Sequence, residues 1–304
     1  MINNQKEKLK TNRLGITYGV GAYVIWGSLP IYWRWLNQAS ASEILANRGI
    51  WSLAVCLIFL AYQKQIRSTL KLITNIKTFF TLGLSSFLLT LNWGIYIWAV
   101  SVDRVVEASL GYYITPLVVV CFGVLVLKEK LRFTQRLSLS LAGIGVSILT
   151  IAFGQIPLVA FGLALSWGSY SLIKKRLDAG SLETLSVEMI FALIPSAAYM
   201  FYLVGKDQAE YGSDLWFSLI LMTSGLVTII PLLMFNSAAT SLPLTITGLL
   251  GYINPTIMFL VGFVVFHEPL TFSKIFGFVF IWAALVILGF DMYKSGRAVD
   301  QSKG

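Results

Sequence analysis

The sequence predicts an all-α integral membrane protein of ten transmembrane helices, arranged as two inverted five-helix repeats. Of its 304 residues, 57% are hydrophobic and 12% are charged, whereas soluble chains carry roughly 25% charged residues. The apolar residues fall into blocks of about 17 to 25, the length that crosses a hydrocarbon core roughly 30 Å thick. The two halves of the chain also resemble each other, which predicts the repeat.

Ten spans follow from reading these blocks in order. We expect helices, because backbone polar groups in lipid must be paired within the protein and the blocks lack the alternation of barrel strands. The predicted spans are 14–36, 43–62, 79–100, 107–127, 134–153, 157–173, 183–204, 215–239, 244–266 and 271–290. They divide the chain into a tail (1–13), a first repeat (14–153), a second repeat (154–290) and a tail (291–304).

The net charge of +9 is explained by topology and predicts no nucleic-acid partner. With the N-terminus inside, eighteen Lys and Arg residues, those at 174–176 included, lie on the inner side. Four lie on the opposite side: Arg34, Arg104, Lys206 and Lys274. Since basic loops stay in the cytoplasm, we expect a multi-pass protein of the cytoplasmic membrane with both termini inside.

An internal duplication is visible when the chain is shifted against itself. A shift of 139 places 113–116 on 252–255, and each stretch reads Tyr-Ile-x-Pro; the same shift places Glu129 on Glu268. A shift of 141 places Trp26-Gly27-Ser28 on 167–169. Five helices per copy is an odd number, so the second copy must enter the membrane from the opposite side. Inverted repeats are typical of secondary transporters, in which they enclose a midplane site.

Two charged residues stand out because each lies about five residues inside a predicted span, and a shift of 140 relates them; they are Arg48 and Glu188. Ionisable groups at membrane depth are costly and mark candidate functional sites. We hypothesise that Arg48 attracts an anionic group of a solute and that Glu188 binds a cationic group or a coupling proton. In the alternative, Arg48 reaches the outer interface and pairs with Glu43 or Glu107, while Glu188 reaches cytoplasmic water.

Further polar residues and prolines occupy the helices near the predicted repeat axis. The candidate solute contacts are Asn92, Tyr96, Tyr113, Asn236, Tyr252 and Asn254. Pro116 and Pro255 are candidate hinges, because a proline within a helix frees a backbone carbonyl. The alternative for these polar side chains is interhelical hydrogen bonding. Trp33 and Trp93 are expected to be interface anchors.

Signals of catalysis are missing from the sequence. It contains no phosphate-binding GxxxxGK[ST] loop, and His267, in a predicted loop, is the sole histidine. Cys56 and Cys121 lie in predicted spans and form no metal or disulfide pattern. We therefore expect no enzyme activity, no cofactor and no metal.

Several motifs carry a family resemblance that extends over nearly the whole chain. The stretches 43–46 with Arg48, 91–100 and 107–112 resemble the EamA family of the drug/metabolite transporter superfamily. The resemblance implies a bacterial inner-membrane permease with ten helices in two inverted EamA repeats. It also implies that helices 1–4 and 6–9 surround a central cavity while helices 5 and 10 brace the two halves.

The sequence thus predicts a secondary transporter (permease) that moves small organic solutes or drugs by alternating access. Its expected partners are the solute, a coupling proton or exchanged solute, and the lipid bilayer, and a homodimer is compatible with this interpretation. The alternative is a non-transporting membrane scaffold or sensor with a vestigial cavity.

Overall fold

The computed structural model describes residues 2–267 and 271–301, with side chains described for 13–267 and 271–294. The regular structure of the described residues consists of helices. They are α1 (Ile2–Trp33), α2 (Ala41–Tyr62), α3 (Ile66–Thr74), α4 (Ile76–Ser101), α5 (Val105–Leu125), α6 (Phe133–Phe153), α7 (Leu158–Arg176), α8 (Ser181–Gly205), α9 (Leu215–Ser241), α10 (Leu244–Leu250), α11 (Ile253–Val264) and α12 (Phe272–Gln301). A 3-10 turn, Arg34–Leu36, follows α1.

Nine segments of the described chain are long and apolar enough to cross a membrane. They are α1 from Arg13 with the turn to Leu36, α2, α4, α5, α6, α8, α9, α10 with α11, and α12 to Lys294. The remaining predicted span, 157–173, forms α7, whose 19 residues reach about 28 Å. Serines, Tyr170 and a basic last turn make α7 more polar than the others. The all-helical membrane fold is therefore confirmed, with nine apolar candidate spans among the described residues and the more polar α7 outside that set.

Helices α1 and α12 extend into the predicted tails, 1–13 and 291–304, and the helices differ from the predicted spans at three further places. Residues 244–266 form two helices, because α10 ends at Leu250 and α11 begins at Ile253. Helix α7 continues past the predicted end at 173 and buries Lys174, which the charge count had placed in a cytoplasmic loop. Helix α3 was not predicted at all, since nine residues are too few for a search by apolar length. The predicted counterpart of Glu129, Glu268, lies outside the described residues.

The outside of the bundle is apolar. Large side chains such as Ile58, Phe87, Ile194 and Phe201 are more than half exposed on the surfaces of the spanning helices. Soluble proteins rarely expose contiguous apolar surface of this kind, whereas lipid tails solvate it. These side chains therefore face the bilayer.

The helices pack in pairs that a two-fold exchange of the repeats reproduces. The exchange converts α1 into α7, α2 into α8, α4 into α9, α5 into α10 with α11, and α6 into α12. Helix α5 packs on α7 and, correspondingly, α1 packs on α10 and α11; α4 packs on α7 as α1 packs on α9. The pairs α2–α8 and α6–α12 map onto themselves and also pack together.

Two close contacts of glycine residues are related by the same exchange of the repeats. A Cβ atom at Gly27 would lie 2.5 Å from the Ile257 side chain, and one at Gly168 would lie 2.8 Å from the Val118 side chain. Gly27 and Gly168 are related by the shift of 141, and Val118 and Ile257 by the shift of 139. Both repeats thus use a glycine of the first helix to admit an apolar residue of the fourth.

Two ends of the bundle are distinguished by their loops. The Arg48 end holds residues 37–40, 102–104, 154–157 and 206–214, and the Lys174 end holds residues 63–65, 126–132, 177–180 and 242–243. Contacts between these segments keep to one end: the Glu43 carboxylate accepts from Tyr211 N at the Arg48 end, and Arg132 pairs with Asp291 at the Lys174 end. By the predicted topology, the Lys174 end faces the cytoplasm.

The crossing of α2 and α9 gives a test of the packing. A Cβ atom at Gly225 would lie 2.4 Å from the backbone of Trp51, so Gly225→Ala must push α9 away from α2. We expect a loss of about 1–3 kcal/mol of unfolding free energy, measured as thermal unfolding in detergent. Gly143→Ala is the control, because nothing lies within 4 Å of its Cβ position; equal destabilisation by both substitutions would contradict this packing.

Candidate functional site

Arg48 lies inside the bundle at the start of α2. The helix begins where the Ser40 hydroxyl accepts from Glu43 N at 3.2 Å. Arg48 is two turns further along, about 10 Å from the helix end. A charged side chain is thereby carried to membrane depth on a rigid element.

The guanidinium of Arg48 is held between aromatic rings and one hydroxyl. Its Nε donates to Thr228 Oγ1 of α9 at 3.0 Å. The Trp93 ring of α4 lies 4.7 Å from the guanidinium carbon, and the Trp33 ring of α1 lies 5.1 Å from it. Such cation–π contacts fix the position of the charge without neutralising it.

Three tyrosines complete the surroundings of the guanidinium. Tyr32, Tyr96 and Tyr112 lie near enough to Arg48 to interact with its charge, and the Tyr96 and Tyr112 rings are 6.2 Å apart. Arg48 and these tyrosines remain partly exposed although α1, α4, α5 and α9 supply their neighbours. The group is therefore a partly exposed polar and aromatic cluster nearer the Arg48 end of the bundle.

Among the described residues, no carboxylate lies within ion-pair distance of Arg48. Glu43 instead accepts from the backbone N of Tyr211 at 2.8 Å. Glu107 accepts from Val159 N at 2.8 Å and lies 3.6 Å from Arg104. Pairing of Arg48 with Glu43 or Glu107, the alternative drawn from the sequence, is not found. The structure leaves a positive charge whose nearest polar partners are neutral.

Glu188 lies in a closed network on α8. Its side chain is fully buried; Oε1 accepts from Lys174 Nζ at 3.0 Å and from Ser85 Oγ at 2.7 Å. Lys174 is 2% exposed and also donates to Thr184 Oγ1 at 2.7 Å. Glu188 therefore does not reach water in this conformation, and its charge is balanced by Lys174.

Asn236 joins this network through Tyr170. The Tyr170 hydroxyl lies 3.3 Å from Glu188 Oε2 and 3.1 Å from Asn236 Oδ1, while Asn236 Nδ2 is buried without a partner. One hydroxyl carries one hydrogen, and the amide orientation is a matter of assignment. A 180° rotation lets Asn236 Nδ2 donate to Tyr170, which then donates to Glu188. With the amide in this orientation, the hydrogen-bond chain runs from Asn236 through Tyr170 to the Glu188 carboxylate.

The charges of Arg48 and Glu188 occupy corresponding positions of the two repeats but have different neighbours. Trp33 and Lys174 are related by the shift of 141, and Arg48 and Glu188 by the shift of 140. Trp33 lies over Arg48, and Lys174 binds Glu188. The same geometry thus gives an unpaired charge in one repeat and a neutralised charge in the other.

An aromatic cluster lies between these two charged sites. Trp26 and Trp167 are equivalent residues of the two repeats, and their rings meet at 5.2 Å in an edge-to-face contact. Phe235 lies 5.7 Å from Trp26 and 5.0 Å from Trp167, and Tyr170 lies 5.4 Å from Trp167. The cluster is joined to the network at Glu188 through Tyr170, whose hydroxyl lies 3.3 Å from Glu188 Oε2.

Two other predicted contacts lie on different surfaces. Asn92 Nδ2 donates to Leu163 O at 2.9 Å and to Ser166 Oγ at 3.0 Å, so it joins α4 to α7. The Tyr113 ring packs edge-to-face on Phe278 of α12 at 5.5 Å. Tyr96 is thus the one predicted contact on the first repeat that the structure places beside Arg48.

The predicted hinges and their neighbours lie where α5 meets α10 and α11. Pro116 lies within the continuous helix α5, whereas Pro255 lies in the first turn of α11, just after the break at Gly251. Tyr252 is buried with an unpartnered hydroxyl, and Asn254 Oδ1 is also buried without a partner. Pro255 has no N–H, so the Gly251 carbonyl accepts instead from Asn254 N at 3.2 Å.

Sequence reasoning missed several members of the Arg48 site. Trp33 and Trp93, expected to be interface anchors, lie over the guanidinium. Tyr112 and Tyr113 are adjacent on α5, and a step of one residue turns the side chain by about 100°; Tyr112 faces Arg48. Helical periodicity is a signal by which Trp93 could have been assigned to the site, because Trp93 and Tyr96 are three residues apart and share a face of α4. Thr228 carries no such signal.

Comparison with known proteins places this fold in a defined family. The profile of the EamA-like transporter family matches residues 13–151 and again 155–290. The chain is 40% identical over 286 residues to Protein RarD of Streptomyces exfoliatus, covering 94% of this chain and 91% of that protein. It is 42% identical over 290 residues to the uncharacterized transporter YojE of Bacillus subtilis (93% and 96%), and 35% identical over 293 residues to Protein RarD of Escherichia coli (96% and 99%).

A solved structure described as "Crystal structure of protein" superposes with a TM-score of 0.70. It is 17% identical and the match covers 92% of this chain and 97% of that one. At this identity, the likeness supports the fold alone.

Proposed function

Because the chain belongs to the EamA-like transporter family, we propose that it is a secondary transporter of small organic anions that works by alternating access. Relatives that cover nearly its whole length are named as transporters, and the coarser conclusion of a membrane transporter rests on them. The anionic substrate class and the mechanism are our proposals.

The observation that carries the substrate class is the unpaired charge of Arg48. A charged residue at membrane depth costs about 2.5 to 3.5 kcal/mol on insertion scales. Here that cost is not offset by any described carboxylate, and the Arg48 side chain remains partly exposed. A planar guanidinium binds carboxylate or phosphate groups through two parallel hydrogen bonds. Since Nε is already bound to Thr228, the two terminal nitrogens are the groups that a ligand would meet.

The surrounding rings define the rest of the solute. Trp33, Trp93, Tyr96 and Tyr112 offer apolar surface with hydroxyl groups at two edges. Pockets of this kind bind compounds with an apolar body and a few polar groups. We infer a small monocarboxylate with an apolar or aromatic body.

The other charged site provides the closed end of the path. We propose that the Lys174–Glu188 pair and the contact of Trp26 with Trp167 close the Lys174 end in this conformation. Inverted repeats can exchange conformations around a fixed site. After the exchange, the Arg48 end closes and the Lys174 end opens, and Glu188 becomes accessible to a cationic group or a coupling proton. The Lys174 end, with both chain termini, is assigned to the cytoplasm and the protein to the inner membrane.

Transport by purified protein in liposomes tests the proposal. The probes are labelled benzoate and phenylacetate, with labelled benzamide and phenylacetamide as uncharged controls of nearly equal shape. We expect uptake of at least one acid that is saturable by the same unlabelled acid, and no saturable uptake of its amide. Equal uptake of acid and amide would refute anion selectivity, and a non-transporting scaffold would move none of the four.

A further inference from the structure

Helix α3 lies on the Lys174 end of the bundle, between the ends of two spanning helices. It follows α2 after three residues and is separated from α4 by Asn75 alone, so both of its ends are tied to the membrane surface. The helix packs against α8: Thr69 is buried, and Ser68 Oγ lies 3.2 Å from Glu183 Oε1. One side of α3 is therefore fixed to the protein.

A second side of α3 is apolar and uncovered. Ile66 and Leu70 are one turn apart on the helix and are 48% and 54% exposed. They continue the apolar surface of the adjacent spans, where Ile76 and Phe80 of α4 are 64% and 67% exposed. Because the surface of those spans faces lipid tails, Ile66 and Leu70 lie at the rim of the same hydrocarbon region.

A third side of α3 is basic. Arg67 and Lys71 are also one turn apart, about 100° around the helix from Ile66 and Leu70. Lys64 and Lys77 flank the helix in sequence. None of these four basic side chains forms an ion pair with a carboxylate in the part of the chain that the structure describes. Their charge is therefore free to meet an external anion.

We propose that α3 is an interfacial helix that binds anionic lipid of the leaflet at the Lys174 end. Ile66 and Leu70 enter the boundary of the acyl region, and Arg67 and Lys71 contact headgroup phosphates. Apolar and basic sectors side by side are the pattern of helices that lie in a membrane interface, and basic clusters beside a membrane span attract anionic headgroups. The proposal is independent of the transported solute.

The segment of the second repeat that corresponds to α3 does not form such an interfacial helix. Residues 206–213 follow α8 as α3 follows α2, but they form no helix and contain Lys206, Asp207 and Glu210. An anionic leaflet would not be attracted to that segment. The lipid site therefore belongs to one face of the membrane only.

Lipid binding to the purified full chain tests the charged side of α3. Native mass spectrometry in neutral detergent measures binding of phosphatidylglycerol and of phosphatidylcholine at equal concentrations. We expect the double substitution Arg67→Gln/Lys71→Gln to lower phosphatidylglycerol affinity by roughly 30-fold and to leave phosphatidylcholine unchanged. Lys128→Gln/Lys130→Gln removes the same charge at the same end and should change affinity less than twofold. Equal effects of the two variants would overturn the proposal.

Depth measurements test the apolar side. A nitroxide is attached to Leu70→Cys, or separately to Lys71→Cys, in a Cys56→Ala/Cys121→Ala background in vesicles of four parts phosphatidylcholine to one part phosphatidylglycerol. We expect the label at 70 to collide with oxygen and to be shielded from an aqueous nickel complex, with the reverse at 71. A label at 70 that is as accessible to nickel as the label at 71 would show that α3 does not enter the interface.

Discussion

Arg48→Gln is expected to lower carboxylate transport by at least roughly 30-fold at equal protein abundance. Truncating one member of a desolvated charge pair costs about 2–5 kcal/mol, and the missing member here would be the partner of the solute. Arg48→Lys keeps the charge but loses the planar fork and the bond from Nε to Thr228, so we expect intermediate transport. Initial uptake rates of the saturable acid in liposomes measure both variants.

The control for Arg48 is Arg34→Gln. Arg34 is exposed at the same end of the bundle, with its guanidinium 4.6 Å from the Phe266 ring, and its loss should leave uptake within about twofold. Arg48→Gln should also leave the protein as stable as the parent, because no described carboxylate loses a partner. Full transport by both Arg48 variants would remove this residue from the solute site.

Glu188→Gln is expected to destabilise the protein by several kcal/mol. The substitution leaves the Lys174 ammonium buried with neutral acceptors only, Thr184 Oγ1 and the new amide oxygen, and breaking a buried ion pair from one side costs about 3–5 kcal/mol. Thermal unfolding in detergent measures the loss. Glu183→Gln, five residues earlier on α8 and partly exposed, is the control and should cost less than about 1 kcal/mol.

The double variant Lys174→Met/Glu188→Gln separates stability from gating. Removing both charges leaves neither one unpaired, so we expect most of the lost stability to return. If the pair closes this end of the path, the double variant should also expose Cys56, which is buried beside Glu188 and Lys174. In a Cys121→Ala background, its reaction with a maleimide should be faster than in the parent. Recovered stability with an unchanged maleimide rate would assign the pair a purely structural role.

Much of the fold was predictable because apolar length and repeat symmetry act over long stretches of sequence. The spans reappear as helices, and membership of the EamA family, expected from motifs around Arg48, is confirmed. The prediction missed local features of the helices. Pro255 and the close approach of Gly251 to α5 divide one span into α10 and α11, and burial of Lys174 depends on a partner 14 positions away.

The candidate site was less predictable than the fold. Arg48 and Glu188 were identified because charge in lipid is rare and because the repeat relates them. Their different surroundings could not be read from the sequence, since Thr228 and Trp93 reach Arg48 from helices distant in the chain. Asn92 and Tyr113 looked equally suitable as contacts, but helix rotation turns them toward α7 and α12.

Counterflow in liposomes tests the central claim that one site opens to each side of the membrane in turn. Vesicles are loaded with the unlabelled acid and diluted into a trace of the labelled acid. An alternating carrier returns inward with labelled solute after releasing unlabelled solute, so we predict transient accumulation of label above its equilibrium level, absent in Arg48→Gln. A monotonic approach to equilibrium, with a rate that rises linearly with concentration, would contradict alternating access.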